Sequence, residues 1–246
     1  MSEKSASPLQ YVRAFFYYLG FYPLTIIHSS LSLMISPVLN FQQRFKFITL
    51  INFFYIFWLR VCCGLGVNVT GREHLPKEGA YVAVANHSSE WETLFLQTFV
   101  RPQCAVLKKE LLSIPFFGWA LGLLNPIAID RSQRRGALKQ LLTEGKSRLE
   151  EGIPVVIFPQ GTRVPVGKMG KFNKGGAMLA LSAGVPIVPI IHNAGIYWPG
   201  KSFTKKTGTV QVHVGEPIPV EGRTVDEIHA DMVAWLEKHM KELGLV

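Results

Sequence analysis

Cysteine is scarce: Cys62, Cys63 and Cys104 are the only three in 246 residues, and none forms a C-x-x-C spacing. That excludes a disulfide framework or a cysteine-ligated zinc site and leaves core or membrane-facing thiols of a reducing compartment. The sequence has no H-E-x-x-H, EF-hand loop or Cys/His cluster, so no metal is expected. G-x-G-x-x-G and G-x-x-x-x-G-K-[ST] are also missing. Without a G-x-S-x-G elbow, Ser88 and Ser89 read as turn and capping residues rather than nucleophiles. Acidic charge is in short supply, with 17 Asp+Glu against 26 Lys+Arg and a balance of +9. Such a chain suits an anionic membrane surface or phosphate-bearing substrates. The basic residues gather in no arm or nucleic-acid motif, so nucleic acid is not an expected partner.

Charge is missing altogether from residues 14–43, a run rich in Phe, Tyr, Leu and Ile that is long enough to reach across a bilayer. A second uncharged run covers residues 47–59 and ends at Arg60. The pattern predicts a membrane-associated two-helix hairpin over residues 1–64, with Arg44 and Lys46 at its turn. Crossing twice would set Lys4, Arg13 and Arg60 opposite Arg44 and Lys46, against the cytoplasmic preference of basic loops. A re-entrant or monolayer-embedded pair is therefore expected, one full span being the alternative. A cleaved signal peptide is not expected, because the uncharged run is far longer than a signal h-region.

From about residue 65 the pattern changes to short β-like runs alternating with helical stretches. Strands are predicted at 67–70, 81–85, 104–107, 126–129, 154–158, 187–191 and 209–214. Helices are predicted at 91–99, 113–123, 135–150, 176–183 and 224–242. The expected fold is α/β, a central mixed sheet of about seven strands flanked by helices, forming one domain over residues 65–246.

The stretch 81–95, YVAVANHSSEWETLF, organises this domain: an apolar run stops at Asn86-His87, and a polar turn leads into a helix. Within one continuous helix His87 and Glu92 would lie roughly 140° apart and could not touch. A helix that begins only at Ser88 or Ser89 leaves His87 on the preceding turn, where Glu92 can fold back to its ring. The carboxylate would fix the tautomer and stabilise the imidazolium, leaving the other nitrogen to remove a proton. Ser89-x-x-Glu92 is equally a capping box, in which Glu92 serves only the backbone N–H groups of the helix start. Spacing alone leaves both readings open.

Three further stretches carry chemistry. Residues 126–131, PIAIDR, form a strand that delivers Asp130 and Arg131 at its end, where a guanidinium offers phosphate a fork or simply sits on a solvated loop. Residues 155–163, VVIFPQGTR, put Gln160, Gly161, Thr162 and Arg163 on an abrupt turn, functional or a plain β-turn. Residues 185–189, VPIVP, suit a strand start and a pocket wall. Lys108, Lys109, Lys171 and Lys174 are either ordinary surface lysines or partners for a substrate's phosphates. His74, His192, His213, His229 and His239 lack an acidic partner at a telling spacing and read as structural.

NHSSEWE resembles the N-H-x-S-x-x-D block of the glycerolipid acyltransferase family, the lysophosphatidic acid acyltransferases in particular. PIAIDR, FPQGTR and VPIVP resemble its later blocks, and all four come in the family's order over about residues 86–189. Glu92 stands where the family most often has Asp, and Gln160 where it usually has Glu. Glutamine keeps an acceptor oxygen for a substrate hydroxyl but cannot pair ionically with Arg163.

The resemblance implies transfer of an acyl chain from acyl-CoA or acyl carrier protein to the 2-hydroxyl of lysophosphatidic acid, with no cofactor beyond that co-substrate. It casts His87 and Glu92 as catalytic and Arg131, Gln160, Gly161, Thr162 and Arg163 as substrate-binding. The expected setting is a phospholipid bilayer, the bacterial inner membrane with the site facing the cytoplasm. The alternatives are an enzyme for another lysophospholipid or glycerol 3-phosphate, and a non-catalytic membrane lipid carrier.

Overall fold

The computed structural model describes residues 6–130 and 132–246, so Arg131 and Lys4 lie outside the described residues. Helix α1 (Pro8–Ile35) opens on Ser7 and Gln10, whose side chains each accept the other's backbone N–H. Asn40 and Gln43 repeat the device at the start of α2 (Phe41–Ile48), and α3 (Leu50–Cys63) follows directly after Thr49. Arg44 and Lys46 are therefore not the hairpin's turn: they lie inside α2, and residues 36–40 make the connection. The reason is local, because the Asn40 cap starts a helix ahead of either cation. Phe41, Phe45 and Ile48 then find an apolar seat against Leu121, Leu123 and Leu124.

The second arm thus extends over Phe41–Cys63, and it and Pro8–Val38 are each long and apolar enough to cross a membrane. Trp58 Nε1 donates to Phe16 O at 3.2 Å, and the Thr25 and Tyr55 hydroxyls meet at 2.6 Å, joining the arms. The outer faces leave Phe15, Leu19, Tyr22, Ile26, Phe53 and Phe57 exposed, an apolar surface of the sort that meets lipid or a partner.

The strands are β1 (Leu65–Thr70), β2 (Val82–Ala85), β3 (Cys104–Lys108), β4 (Ile127–Ile129), β5 (Val155–Ile157), β6 (Ile187–His192) and β7 (Gly208–Val214). They form one sheet in the order β1-β7-β6-β2-β5-β3-β4. β2 to β6 run parallel, while β7 is antiparallel to β6 and parallel to β1, giving the expected mixed sheet. The remaining helices are α4 (Trp91–Phe99), α5 (Phe117–Gly122), α6 (Arg134–Glu150), α7 (Gly175–Ala183), α8 (Ala194–Tyr197) and α9 (Val225–Glu242). α5 is shorter than predicted because residues 109–113 form a 3-10 turn and Pro115 interrupts the helix.

Strand β2 is buried on both sides and alternates between them, as strand side chains must. Val82 and Val84 join Leu141 of α6, Leu179 of α7 and Met232 and Leu236 of α9. Ala83 and Ala85 face Trp91 and Phe95 of α4, Leu59 of α3 and Tyr17 of α1. The hairpin is thus part of the layer covering one face of the sheet. Asn52 Nδ2 donates to Gln97 at 2.8 Å and Arg101 to Thr49 at 2.9 Å, pinning it to α4.

Candidate active site

Strands β6, β2 and β5 are parallel neighbours, so their C-terminal ends bring residues from three distant parts of the chain to one edge. The end of β2 supplies Asn86 and His87, the end of β5 leads to Gln160, and β6 ends at His192. α4 begins at Trp91, so His87 lies on the turn before it and Glu92 in its first helical turn.

That late start lets the carboxylate fold back. His87 Nδ1 lies 2.7 Å from Glu92 Oε1, and the same oxygen accepts the Ser88 and Ser89 N–H groups, each at 3.0 Å. One oxygen serves both the imidazole and the turn, while the capping box itself is not formed: α4 is capped at Glu90, and Ser89 Oγ accepts the Trp91 N–H at 3.1 Å. A carboxylate only accepts, so Nδ1 carries the hydrogen and Nε2 is the basic nitrogen. The ring stacks on Phe158 with centroids 4.4 Å apart, fixing its plane. Glu92 is fully buried. Burial pushes its pKa up, but His192, the bond from His87 and the Ser89 N–H outweigh this and hold the carboxyl below its ordinary range.

His192, expected to be structural because no acidic residue stands at a telling spacing, gains an acidic neighbour on folding: Nε2 lies 3.8 Å from Glu92 Oε2. The ring also lies 2.9 Å from Asn86 O, and Asn86 bonds the His192 backbone N–H and C=O at 2.9 Å each. This reciprocal clamp joins the ends of β2 and β6 behind His87. Burial lowers the pKa of His192, which favours the neutral ring.

The turn after β5 is tied to the same site. Gly161 has φ 68°, a left-handed backbone that glycine accepts without strain. Gln160 is 8% exposed, and both ends of its amide are engaged inside the protein: Oε1 accepts the His87 N–H at 2.8 Å and Nε2 donates to Met169 O at 2.9 Å. Arg163 Nε donates to Ser89 O at 2.9 Å, and its guanidinium lies 3.2 Å from Glu90 Oε1. Thr162 is exposed beside them. Of the candidate lysines, Lys108 ends β3 at the same C-terminal edge and pairs with Glu110 at 3.0 Å, and Lys174 pairs with Asp226 at 2.6 Å.

An acyltransferase family model matches residues 66–193. A 1-acyl-sn-glycerol-3-phosphate acyltransferase of Pseudomonas aeruginosa is 44% identical over 97% of this chain and 94% of its own length. The chain is a member of the 1-acyl-sn-glycerol-3-phosphate acyltransferase family. The human 1-acyl-sn-glycerol-3-phosphate acyltransferase alpha is 34% identical over 68% of this acyltransferase and 60% of its own length. The crystal structure of the 1-acyl-sn-glycerophosphate (LPA) acyltransferase PlsC from Thermotoga maritima superposes with a TM-score of 0.79, at 25% identity and 94% coverage of both chains. The family match includes all of β2 to β6, and with them the His87 turn and the Gln160 turn of this acyltransferase.

Proposed function

We propose that this acyltransferase passes an acyl chain from acyl-CoA or acyl carrier protein to the sn-2 hydroxyl of lysophosphatidic acid, forming phosphatidic acid. The observation that carries the reading is the His87–Glu92 pair, bonded through Nδ1 at the edge of the parallel strands. Nε2 takes the proton of the acceptor hydroxyl as its oxygen attacks the thioester carbonyl carbon. The tetrahedral intermediate then expels the thiolate, which recovers the proton from the imidazolium. Glu92 stabilises that imidazolium and fixes the ring, so no acyl-enzyme is needed. The acceptor's phosphate is held by Arg163 and, by its place in the second block, Arg131, while Gly161 and Thr162 shape the turn between base and phosphate.

In this reading residues 65–246 are the catalytic domain and residues 1–64 the membrane element, at a bacterial inner membrane with the site facing the cytoplasm. The exposed apolar hairpin and the basic balance of the chain support it. So does the loop after α8, which connects α1 to the site: Lys205 contacts Tyr17 and Tyr18, and Lys201 N–H bonds Glu90 at 3.0 Å. An active-site mouth held at the lipid surface spares both amphiphiles a passage through water.

The test offers one acyl-CoA, in detergent, to lysophosphatidic acid, glycerol 3-phosphate and a neutral-headgroup lysolipid, with His87→Ala as control. Transfer confined to lysophosphatidic acid, reduced roughly 10²- to 10⁴-fold in the variant, is the expected result. Preference for another acceptor would reassign the substrate. Lipid binding without transfer, with acyl carrier protein thioester supplied as well, would make the protein a carrier.

A further inference from the structure

Gln160 has two partners of opposite kind, the His87 N–H and the Met169 carbonyl. The His87 carbonyl in turn accepts the Val164 N–H at 2.8 Å, so both backbone groups of His87 are tied to the segment that begins at Gln160. Within that segment, residues 164–173 form a strap anchored at both ends. Asn173 donates to Pro159 O through its backbone N–H at 2.9 Å and its side-chain amide at 2.8 Å, and Gly167 N–H donates to Leu245 O at 2.7 Å. Gly170 lets the strap close over the amide: a Cβ there would meet Val164 at 2.8 Å and Gln160 Nε2 at 3.3 Å.

Only a side chain with an acceptor and a donor on one planar group satisfies both partners. A carboxylate would set a second acceptor against the Met169 carbonyl in a buried place, and an apolar side chain would leave the N–H and the C=O both unpaired. We propose that Gln160 is a positioning residue whose amide bridges His87 N–H and Met169 O, fixing the catalytic turn to the strap. Glutamine stands here because Met169 presents a carbonyl. The inference rests on the acyl-transfer reading above, in which His87 is the base, and gives Gln160 a part that requires no contact with the acceptor.

The test compares Gln160→Met and Gln160→Glu with the wild-type full chain in detergent, using acyl-CoA and lysophosphatidic acid. Gln160→Met should lower kcat roughly 10- to 100-fold, since a misplaced base costs on that scale, while the acceptor KM stays within about twofold. Gln160→Glu should be impaired at neutral and alkaline pH and recover relative to wild type as the pH falls. The protonated carboxyl regains an O–H donor for Met169 while its C=O accepts from His87.

Amide hydrogen exchange at His87, compared with wild type at the same pH, should be faster in Gln160→Met. In Gln160→Glu it should return toward wild type on the acid side. An acceptor KM that rises with kcat intact, a Gln160→Glu to wild-type ratio that is flat with pH, or His87 exchange unchanged in Gln160→Met overturns the bridge. A wild-type chain that acylates no acceptor overturns the acyl-transfer reading instead, and the exchange measurement still decides whether Gln160 holds the turn.

Discussion

Glu90 and Arg163 lock two turns together: Glu90 Oε1 lies 3.2 Å from the Arg163 guanidinium and also accepts the Lys201 N–H. The arginine is expected to seek phosphate, yet it already serves the fold through Glu90 and Ser89 O. A guanidinium carries five donors, so these contacts orient the fork without exhausting it.

Arg163→Ala should therefore act mainly on acceptor binding. Loss of charge-assisted bonds worth about 1.5–3 kcal/mol raises the lysophosphatidic acid KM roughly 10- to 100-fold. An acceptor without a phosphate should show little change. Steady-state kinetics with both acceptors checks this, and a lower melting temperature with unchanged KM would make Arg163 a strut.

Glu92 carries a pH signature. Its folded pKa lies below the ordinary value, so the folded state binds the proton less readily than the unfolded chain. The stability it contributes is complete above the ordinary glutamate range and is lost as pH falls through the depressed folded value. Thermal melts on the acid side should show wild type losing stability more steeply than Glu92→Gln, whose group does not titrate. The same variant should lose roughly 10²- to 10⁴-fold in kcat, because the imidazolium loses its counter-charge.

Local patterns made most of this fold readable. The apolar runs of β2, β5 and β6 read as strands of a mixed sheet, and α4 occupies the predicted residues 91–99. The pairing of His87 with Glu92 was open in the sequence because Glu92 stands three positions from Ser89, as a cap would, and five from His87, as a dyad would, and only the place where α4 begins decides. The hairpin turn misled because charge marks turns on average, whereas here the Asn40 cap and the seat for Phe45 governed. His192 was out of reach for another reason. It meets Glu92 a hundred positions earlier in the chain, and the order of strands in a sheet, which no local spacing encodes, brings them together.

His192→Phe tests that long-range contact. The ring would keep its volume but abandon Asn86 O, at a cost of about 1–3 kcal/mol for a buried carbonyl left unpaired. The melting temperature should fall, and kcat should drop less than in His87→Ala, since the base itself remains. Activity equal to wild type, with stability intact, would return His192 to the role of simple packing.

Lys205 offers the sharpest test of how the hairpin is held. It is 1% exposed, donates to Phe203 O at 2.8 Å and places its ammonium 3.6 Å from the Tyr18 ring centroid and 4.4 Å from that of Trp198. Ring faces attract the cation, but its burial opposes charge and pulls the pKa from 10.5 down to about 7. Between those values the unfolded chain binds a proton that the folded state has released, so folding stability rises with pH across that window, and below about pH 7 the cost of burying the charge is felt in full. Lys205→Met, which fills similar space without titrating, should melt above wild type at and below neutral pH, and this advantage should shrink as the pH approaches 10.5. A variant that melts lower than wild type by the same margin at every pH would mean that the aromatic cage keeps the lysine charged throughout, and that cation–π attraction rather than apolar packing pins α1 to the sheet.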